Sequence, residues 1–298
     1  MVGLAYVLMC TIYGTTFLAI KLGLDAGIPP FLFAALRFIL AALLLIATVR
    51  IPIPKTWKAW SNVTVIGLLM TTARYAALFW GEQYLPSGLS ALLVATSPFF
   101  IILISITRTR RVSWTALGGV GLGLAGLVLV LHAEGHSLAR EIGPKLAIMG
   151  GELCFAAGAL RAKQMLTENM SALHLNAWQM LTGGLGLAIL ALTEPWAFPV
   201  SLSILGPLAY LTLGGSIMAT GLFYWLVQRT NPVFPSTWTY ASPVLAVTIG
   251  LAFRHEHWQA NQLMGIPLIL GGAVMTHPLI GAWVHKRWSG SDAPQNTP

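Results

Sequence analysis

Charged residues are scarce in this chain, and their scarcity excludes a water-soluble domain. Asp, Glu, Lys and Arg make up 9% of the 298 residues, whereas hydrophobic residues make up 56% and the mean hydropathy is +0.74. Soluble domains carry about 25% charged residues. The composition therefore predicts an integral membrane protein.

Cysteine and metal-binding patterns are also nearly absent. The two cysteines, Cys10 and Cys154, lie inside apolar runs, where cysteine usually serves as a small buried hydrophobe. The run from His255 to His257 offers metal-capable side chains, but no further Cys or His nearby completes a site. We therefore expect no bound metal and no cofactor.

Nucleotide-binding patterns are missing too. The loop G-x-x-x-x-G-K-[ST] does not occur, so ATP cannot drive transport directly. The segment from Gly121 to Gly126 matches the dinucleotide fingerprint G-x-G-x-x-G, but it lies inside an apolar run rather than between a strand and a helix. In the same run, the pair Gly119-x-x-x-Gly123 instead favours close helix packing.

What the chain does have is ten long apolar runs. Crossing about 30 Å of hydrocarbon takes roughly 20 helical residues. The runs lie near 3–24, 31–49, 62–81, 88–107, 114–131, 145–163, 172–193, 204–228, 233–253 and 262–284. The first lacks the basic flank and cleavage site of a signal peptide, so we count it as a retained helix. We expect an all-α membrane protein of ten transmembrane helices, with a disordered cytoplasmic tail at 286–298.

The net charge of +8 is an orientation signal. With the N-terminus inside, eleven basic residues fall on the cytoplasmic side, namely Arg50, Lys55, Lys58, Arg108, Arg110, Arg111, Arg161, Lys163, Arg229, Lys286 and Arg287. Only four fall outside, namely Lys21, Arg140, Lys145 and Arg254. Because positive charge is retained on the cytoplasmic side, both termini are predicted to lie there, and no nucleic-acid partner is implied.

The two halves of the chain repeat each other. Ala95 to Pro98 matches Tyr240 to Pro243, and Trp80 and Gln83 match Trp225 and Gln228, each 145 residues apart. Two further matches have slightly different offsets: Lys21 with Lys163, and the glycine pair 119 and 126 with the pair 265 and 272. Because each half holds an odd number of spans, the second copy enters the bilayer upside down. We predict two inverted five-helix repeats, at 1–135 and 140–285, around a central cavity.

Six segments carry a family likeness. They are Tyr13 to Lys21, Pro29 to Phe38, Leu85 to Leu93 with the following Thr-Ser-Pro, Gln179 to Gly184, Tyr240 to Val244, and Gln262 to Gly265. In order and spacing they resemble the drug/metabolite transporter superfamily, specifically its bacterial EamA-type branch with two repeats of five helices. The chain departs from that pattern at Tyr13, where the family usually has Trp, and its counterpart in the sixth helix is Phe155. It also departs in the first repeat, where Arg110 and Arg111 replace an acidic residue that survives in the second repeat as Glu256.

Two prolines mark candidate breaks in the fourth and ninth helices. Pro98 and Pro243 each remove a backbone hydrogen bond and free carbonyl groups. Inside a bilayer those groups need protein or cavity water as partners. We therefore place the neighbouring Thr96, Ser97 and Ser242 at a substrate cavity; the alternative is a kink that only shapes packing.

Three ionisable residues lie inside predicted spans. Arg74 is close to mid-membrane, where an arginine is unfavourable by roughly 2.5–3.5 kcal/mol, so it binds either a substrate anion or the exposed carbonyls of a broken helix. Arg37 and Glu152 lie at similar depth, which permits an ion pair. Glu152 is the candidate for proton coupling, and Arg37 fits a packing motif.

Aromatic residues cluster on the third, eighth and ninth helices. Trp80 and Trp225, near helix ends, are interpreted as interfacial anchors. The rings that could line a cavity and bind a flat or apolar solute are Tyr75, Tyr224, Trp238 and Tyr240.

The resemblance implies a secondary transporter of the bacterial inner membrane that moves a small organic metabolite, such as an amino acid, or a drug, by alternating access. It favours an exporter. Separately, we expect a monomer or weak homodimer. Two alternatives stay open, a membrane-embedded enzyme and a passive channel or scramblase. The first would need a nucleophile with its base, or clustered His and carboxylates, at one depth.

Overall fold

The computed structural model describes residues 1–85, 90, 93–109, 114–132, 142–168, 170–195, 202–241 and 260–276. Within these ranges the chain forms helices and no strand. The first half contains α1 (Val2–Asp25), α2 (Pro30–Val49), α3 (Trp57–Gly67), the π-helix π1 (Leu68–Ala73), α4 (Arg74–Gly81), α5 (Ser97–Thr109) and α6 (Trp114–His132). The second half contains α7 (Ile142–Thr167), α8 (Ala172–Ala191), α9 (Leu202–Tyr210), the π-helix π2 (Leu211–Ala219), α10 (Thr220–Arg229), α11 (Val233–Ser236) and α12 (Ala260–Met275).

Local sequence signals set the helix starts. Pro30 is the first residue of α2, where its missing N–H is harmless. Thr56 caps α3 by accepting a hydrogen bond from the Ala59 amide, and Ser171 caps α8 by accepting one from the His174 amide. These polar residues therefore begin helices whose interiors are apolar.

Four helices among the described residues are long and apolar enough to cross a membrane. They are Val2–Asp25, Pro30–Val49, Trp57–Gly81 and Ser203–Arg229. Two shorter apolar helices, Ser97–Thr107 and Trp114–Gly126, accompany them. The prediction of a helical membrane protein is confirmed, whereas the count of ten spans and the orientation of the termini stay predictions. The predicted tail at 286–298 lies outside the described residues.

Each half carries one π-helical segment in the middle of its third long helix. Segment π1 interrupts the helix Trp57–Gly81, and π2 interrupts the helix Ser203–Arg229. Shifting π1 by the 145-residue repeat offset places it inside π2. π-Helical turns are rare and occur frequently at functional sites. Their matched position therefore indicates a functional site near the middle of these two helices.

The third long helix of each half packs on the other half. Segments α3, π1 and α4 contact α7 and α8, while α9, π2 and α10 contact α1 and α2. Replacing each helix by its counterpart in the other half turns the first set of contacts into the second. This reciprocal pattern is the one that a twofold relation between the halves requires.

A glycine contact between α6 and α12 has the same reciprocity. A Cβ on Gly119 would lie 2.7 Å from the Gly272 carbonyl oxygen, and a Cβ on Gly126 would lie 2.6 Å from that of Gly265. The offset that matches Gly119 with Gly265 also matches Gly126 with Gly272, so each contact maps onto the other. The expected close packing through Gly119 and Gly123 is observed, since Gly272 also abuts Gly123.

Candidate functional site

A small cavity lies where the two halves meet. It is lined by Tyr13, Phe38, Met70, Thr71, Arg74, Tyr75, Phe155, Gln179, Thr220, Phe223 and Tyr224. These residues come from α1, α2, π1, α4, α7, α8 and α10. The space open to the centre of a water molecule is about 20 Å³, which is enough for a single water. The structure therefore shows a nearly closed site that has to widen before it admits an organic solute.

An ion pair forms one wall of this cavity. The Arg74 Nε donates a hydrogen bond to the Glu152 Oε1 at 2.8 Å, and their side chains are 5% and 1% exposed. The Arg74 guanidinium also stacks over the Phe155 ring at 4.1 Å. Arg74 is thus held by a partner on α7. The suggested pairing of Glu152 with Arg37 is wrong, because α4 rather than α2 presents the arginine that Glu152 binds.

Arg37 is buried beside the Phe38 and Tyr75 rings that line this cavity, but it is not itself one of the lining residues. It is 1% exposed, and its Nε donates to the Ser216 Oγ on π2 at 2.8 Å. Its Cζ lies 4.8 Å from the centroid of the Phe38 ring and 5.3 Å from that of Tyr75. The two terminal nitrogens, Nη1 and Nη2, make no hydrogen bond with any described residue. Sequence reasoning gave Arg37 a packing role and did not detect these unused donors.

A second hydrogen bond joins the two positions that the repeat relates to Arg37 and Ser216. The Thr71 hydroxyl on π1 donates to the Gln179 Oε1 on α8 at 2.7 Å. Gln179 follows Arg37 by the 142-residue offset of the two lysines, and Ser216 follows Thr71 by 145 residues. Each half thus joins its second helix to the π-helix of the other half, with an arginine in one contact and a glutamine in the other.

Aromatic rings cover the rest of the cavity. Tyr13 and Phe155, which match across the repeats, both line it, and Tyr13 packs against Trp238 with ring centroids 4.2 Å apart. The predicted residues Tyr75 and Tyr224 line it as well, and Trp238 lies 5.8 Å from the Arg74 guanidinium. Tyr240 points elsewhere, because its ring abuts Gly123 on α6. Tyr240 is therefore a packing residue and not part of the cavity wall.

The predicted break in the fourth helix is visible. A turn at Ala95 and Thr96 precedes α5, and Pro98 lies in the first turn of that helix. The Thr96 hydroxyl donates to the Leu93 carbonyl, and that of Ser97 donates to the Val94 carbonyl. Neither Thr96 nor Ser97 lines the cavity. Ser242, Pro243 and the segment from His255 to His257 lie outside the described residues.

Sequence reasoning missed several residues of this site. Tyr13, Phe155, Gln179 and Thr71 line the cavity, and Ser216 anchors Arg37. The repeat offset was the available signal, since it relates Tyr13 to Phe155 and Thr71 to Ser216. Among the described residues no three His, Cys, Asp or Glu side chains come together as metal ligands would.

The two repeat-related lysines make different contacts. The Lys163 Nζ donates to the carbonyl oxygens of Val227, Gln228 and Thr230, at 2.8, 3.0 and 3.0 Å, at the end of α10. Lys21 instead forms an exposed ion pair of 3.3 Å with Asp25 on its own helix. Only one of the two matched lysines therefore holds the end of its neighbouring helix.

Beyond the end of α4, Glu82 lies near Lys21. The Glu82 Oε1 is buried and has no hydrogen-bond partner among the described residues. Burial raises the pKa of Glu82 to about 8, against an opposing effect of the Lys21 ammonium. The carboxyl is therefore largely protonated at neutral pH.

Comparison with known proteins supplies the family context. The model of the EamA-like transporter family matches twice, over residues 1–132 and 144–277. The chain is 28% identical to the uncharacterized inner membrane transporter YedA of Escherichia coli (strain K12), over 89% of this chain and 86% of that protein. It is 26% identical to an uncharacterized transporter of Synechocystis sp., over 90% and 87%. A solved crystal structure superposes with a TM-score of 0.76 at 21% identity, covering 95% of this chain and 98% of the other, which shows a shared fold.

Proposed function

The chain belongs to the EamA-like transporter family, and on that basis we propose that it is a secondary transporter that exports a small organic metabolite across the bacterial inner membrane. The solute binds in the central cavity, and the two halves open that cavity to each side in turn. Both termini lie in the cytoplasm, as the distribution of basic residues favours.

The observation that carries this proposal is a cluster of buried charged residues beside a water-sized cavity between the halves. Arg37, Arg74 and Glu152 are all buried, and all three lie on helices in the apolar interior. Ionisable residues in membrane helices are unfavourable and mark substrate or ion pathways. Binding sites at the interface of structural repeats are typical of secondary transporters.

The unequal lysines support alternating access. If the halves exchange conformations, Lys21 should in turn hold the end of α4, because Glu82, Gln83 and Leu85 match the three residues whose carbonyls Lys163 binds. The structure then represents the state in which Lys163 is hydrogen-bonded to the end of α10 and Lys21 is not bonded to the end of α4. In that other state the Lys21 ammonium would lie against Glu82 and favour the ionised form of its carboxyl group.

Counterflow in proteoliposomes tests this function. Vesicles loaded with one unlabelled metabolite at a time, from a panel of amino acids, organic acids and drugs, receive a trace of the same labelled compound outside. A carrier accumulates the label transiently and saturates with concentration. Linear, non-saturating entry of the label would instead indicate a channel or scramblase, and chemical conversion of a panel compound would indicate an enzyme.

Proton coupling through Glu152 is tested in the same vesicles. A Glu152→Gln variant should exchange solute but lose its dependence on an imposed pH gradient, because it cannot carry a proton. Full pH-gradient dependence in that variant would place the coupling group elsewhere.

A further inference from the structure

We propose that Arg37 is the anion-binding residue of the central cavity, and that the solute is an organic monocarboxylate with an apolar or aromatic body. This inference rests on the proposed transport function and assigns its substrate class. It assigns to Arg37 the anion contact that the sequence analysis gave as one of two possible roles of Arg74.

Unused hydrogen-bond donors are the first step of the argument. A guanidinium has five N–H donors, and only the Nε of Arg37 is used, by Ser216. Nη1 and Nη2 are buried with no hydrogen bond to a described residue. A buried charge is strongly unfavourable unless it is paired and hydrogen-bonded. A carboxylate can accept two parallel hydrogen bonds from a guanidinium, so it would satisfy this group.

The local charge is the second step. Arg37, Arg74 and Glu152 carry two positive charges and one negative charge, and the Glu152 carboxylate is already bound to Arg74. With all three residues ionised, this cluster in and beside the cavity therefore has a net charge of +1. A monoanion neutralises it, whereas an amine would add to it and a dianion would reverse it.

The matching position in the other half provides an internal control. At the position equivalent to Arg37, Gln179 forms the matching hydrogen bond to the opposite π-helix. A neutral amide is therefore sufficient to join the second helix to that π-helix. The charge of Arg37 is not needed for this packing contact, so it requires another explanation.

A glycine, Gly215, lies next to the Arg37 guanidinium and leaves room for it. A Cβ on Gly215 would lie 2.7 Å from the Arg37 Nη2. The rings of Phe38 and Tyr75, over which the guanidinium lies, also line the cavity. An anion held by Nη1 and Nη2 would thus have its apolar body against these rings, which suits a flat or apolar acid.

Equilibrium dialysis of the purified protein in detergent tests the proposal with probes that share one phenyl ring. The probes are phenylacetate, the neutral phenylacetamide, the cationic phenethylamine, the zwitterionic phenylalanine and the dianionic phenyl phosphate. We expect saturable binding of phenylacetate with at least about tenfold preference over each of the others. Arg37→Gln should weaken phenylacetate binding at least about tenfold and remove that preference, and Arg37→Lys should have an intermediate effect because it keeps the charge but loses the fork of donors.

Arg161→Gln is the matched control. Arg161 donates to the Asn62 Oδ1 and does not line the cavity, so this variant should bind phenylacetate like the wild type. Where Arg37→Gln does not fold, Ser216→Ala and Gly215→Ala keep the arginine but release or displace its guanidinium. Both should weaken phenylacetate binding more than phenylacetamide binding.

The proposal is overturned if the folded wild-type protein shows no saturable phenylacetate binding, if phenylacetamide binds equally well, or if Arg37→Gln leaves the affinity unchanged. Failure of the transport function is a separate result. Saturable counterflow of a neutral or zwitterionic solute that survives in Arg37→Gln would keep the transporter and refute the anion site. Charge-selective binding without any counterflow would keep the anion site and refute the transport function.

Discussion

At the scale of single residues, Arg37 and Arg74, the two buried arginines of the described helices, differ because only Arg74 has a carboxylate partner there. Glu152 binds Arg74, whereas Arg37 is held by a neutral hydroxyl. A buried ion pair adds little net stability over apolar residues of similar size, but removing one partner leaves an uncompensated charge. Arg74 and Glu152 therefore act as one unit, and the effect of either single variant has to be compared with that of the double variant.

We expect Glu152→Gln to lower the free energy of unfolding by about 3–5 kcal/mol, since it leaves the Arg74 charge unpaired. The double variant Arg74→Met with Glu152→Gln should recover most of this loss. Thermal unfolding in detergent measures both. Losses that simply add in the double variant would mean that the two residues do not depend on each other.

Glu82 should make stability depend on pH. Its pKa is raised to about 8 from an ordinary 4.5, so the native state retains a proton that the unfolded state releases between these values. The stabilisation from the neutral carboxyl is complete below the lower value and is lost as pH rises through about 8. Unfolding temperatures between pH 6 and 9 should therefore fall more steeply for the wild type than for Glu82→Gln. Parallel curves would contradict this.

At the scale of helices, small residues and π-helical turns set how closely the halves approach. The α6 and α12 backbones touch at two related glycine contacts, and the π-helices supply Thr71 and Ser216 to the helices of the opposite half. Both kinds of contact bring helices of the two halves together without large side chains.

Gly119→Ala should destabilise the protein by about 1–3 kcal/mol, because its Cβ would lie 2.7 Å from the Gly272 carbonyl oxygen. Gly121→Ala on the same helix is the control. No atom beyond its chain neighbours and the backbone of its own helix lies within 4 Å of its Cβ position, so we expect a change within about 0.5 kcal/mol. Thermal unfolding in detergent compares the two, and equal losses would refute the packing argument.

Lys163→Met should release the end of α10. Losing three hydrogen bonds from an ammonium to helix-terminal carbonyls should shift the conformational equilibrium by about 1–2 kcal/mol, or about five- to thirty-fold in population. Spin labels at the exposed positions Glu168 and Arg229, with both native cysteines replaced by alanine, should report longer distances.

Lys21→Met is the counterpart of that experiment. It removes the contact that Lys21 is proposed to make with the end of α4 in the opposite state. The Glu168–Arg229 distance distribution should therefore stay unchanged or become narrower. The exposed Lys58→Met should have no effect. If Lys21→Met lengthened the Glu168–Arg229 distance as much as Lys163→Met does, the two lysines would not act in alternate states.

At the scale of the whole molecule, two halves of one sequence family pack reciprocally around a charged cavity. The family model matches each half separately, and the third long helix of each half lies against the first two helices of the other. Neither half encloses the cavity alone, since α1, α2 and α4 line it from one side and α7, α8 and α10 from the other. The site is therefore a property of the complete chain.

Both chain ends should lie on the cytoplasmic side. Green fluorescent protein fused to either end should fluoresce, and alkaline phosphatase fused to either end should be inactive, because each reporter works on only one side of the inner membrane. An active phosphatase at one end would refute the orientation and, with it, an inverted arrangement of two equal halves.

Much of this protein could be read from its residues alone. The lack of charge determined the membrane environment, the turn before Pro98 followed from the proline, and the spacing of Gly119, Gly126, Gly265 and Gly272 revealed the repeat. These properties depend on composition and on order along the chain, and both are complete in the sequence.

Only the tertiary structure decided which arginine Glu152 binds, which donors remain unused, and that Tyr240 points at α6 instead of the cavity. Position along a helix tells how deep a side chain lies in the bilayer, but not which neighbour it faces. Helices that are apolar all round lack the polar face that would reveal their rotation. The partners of these residues were therefore determined by packing between distant parts of the chain.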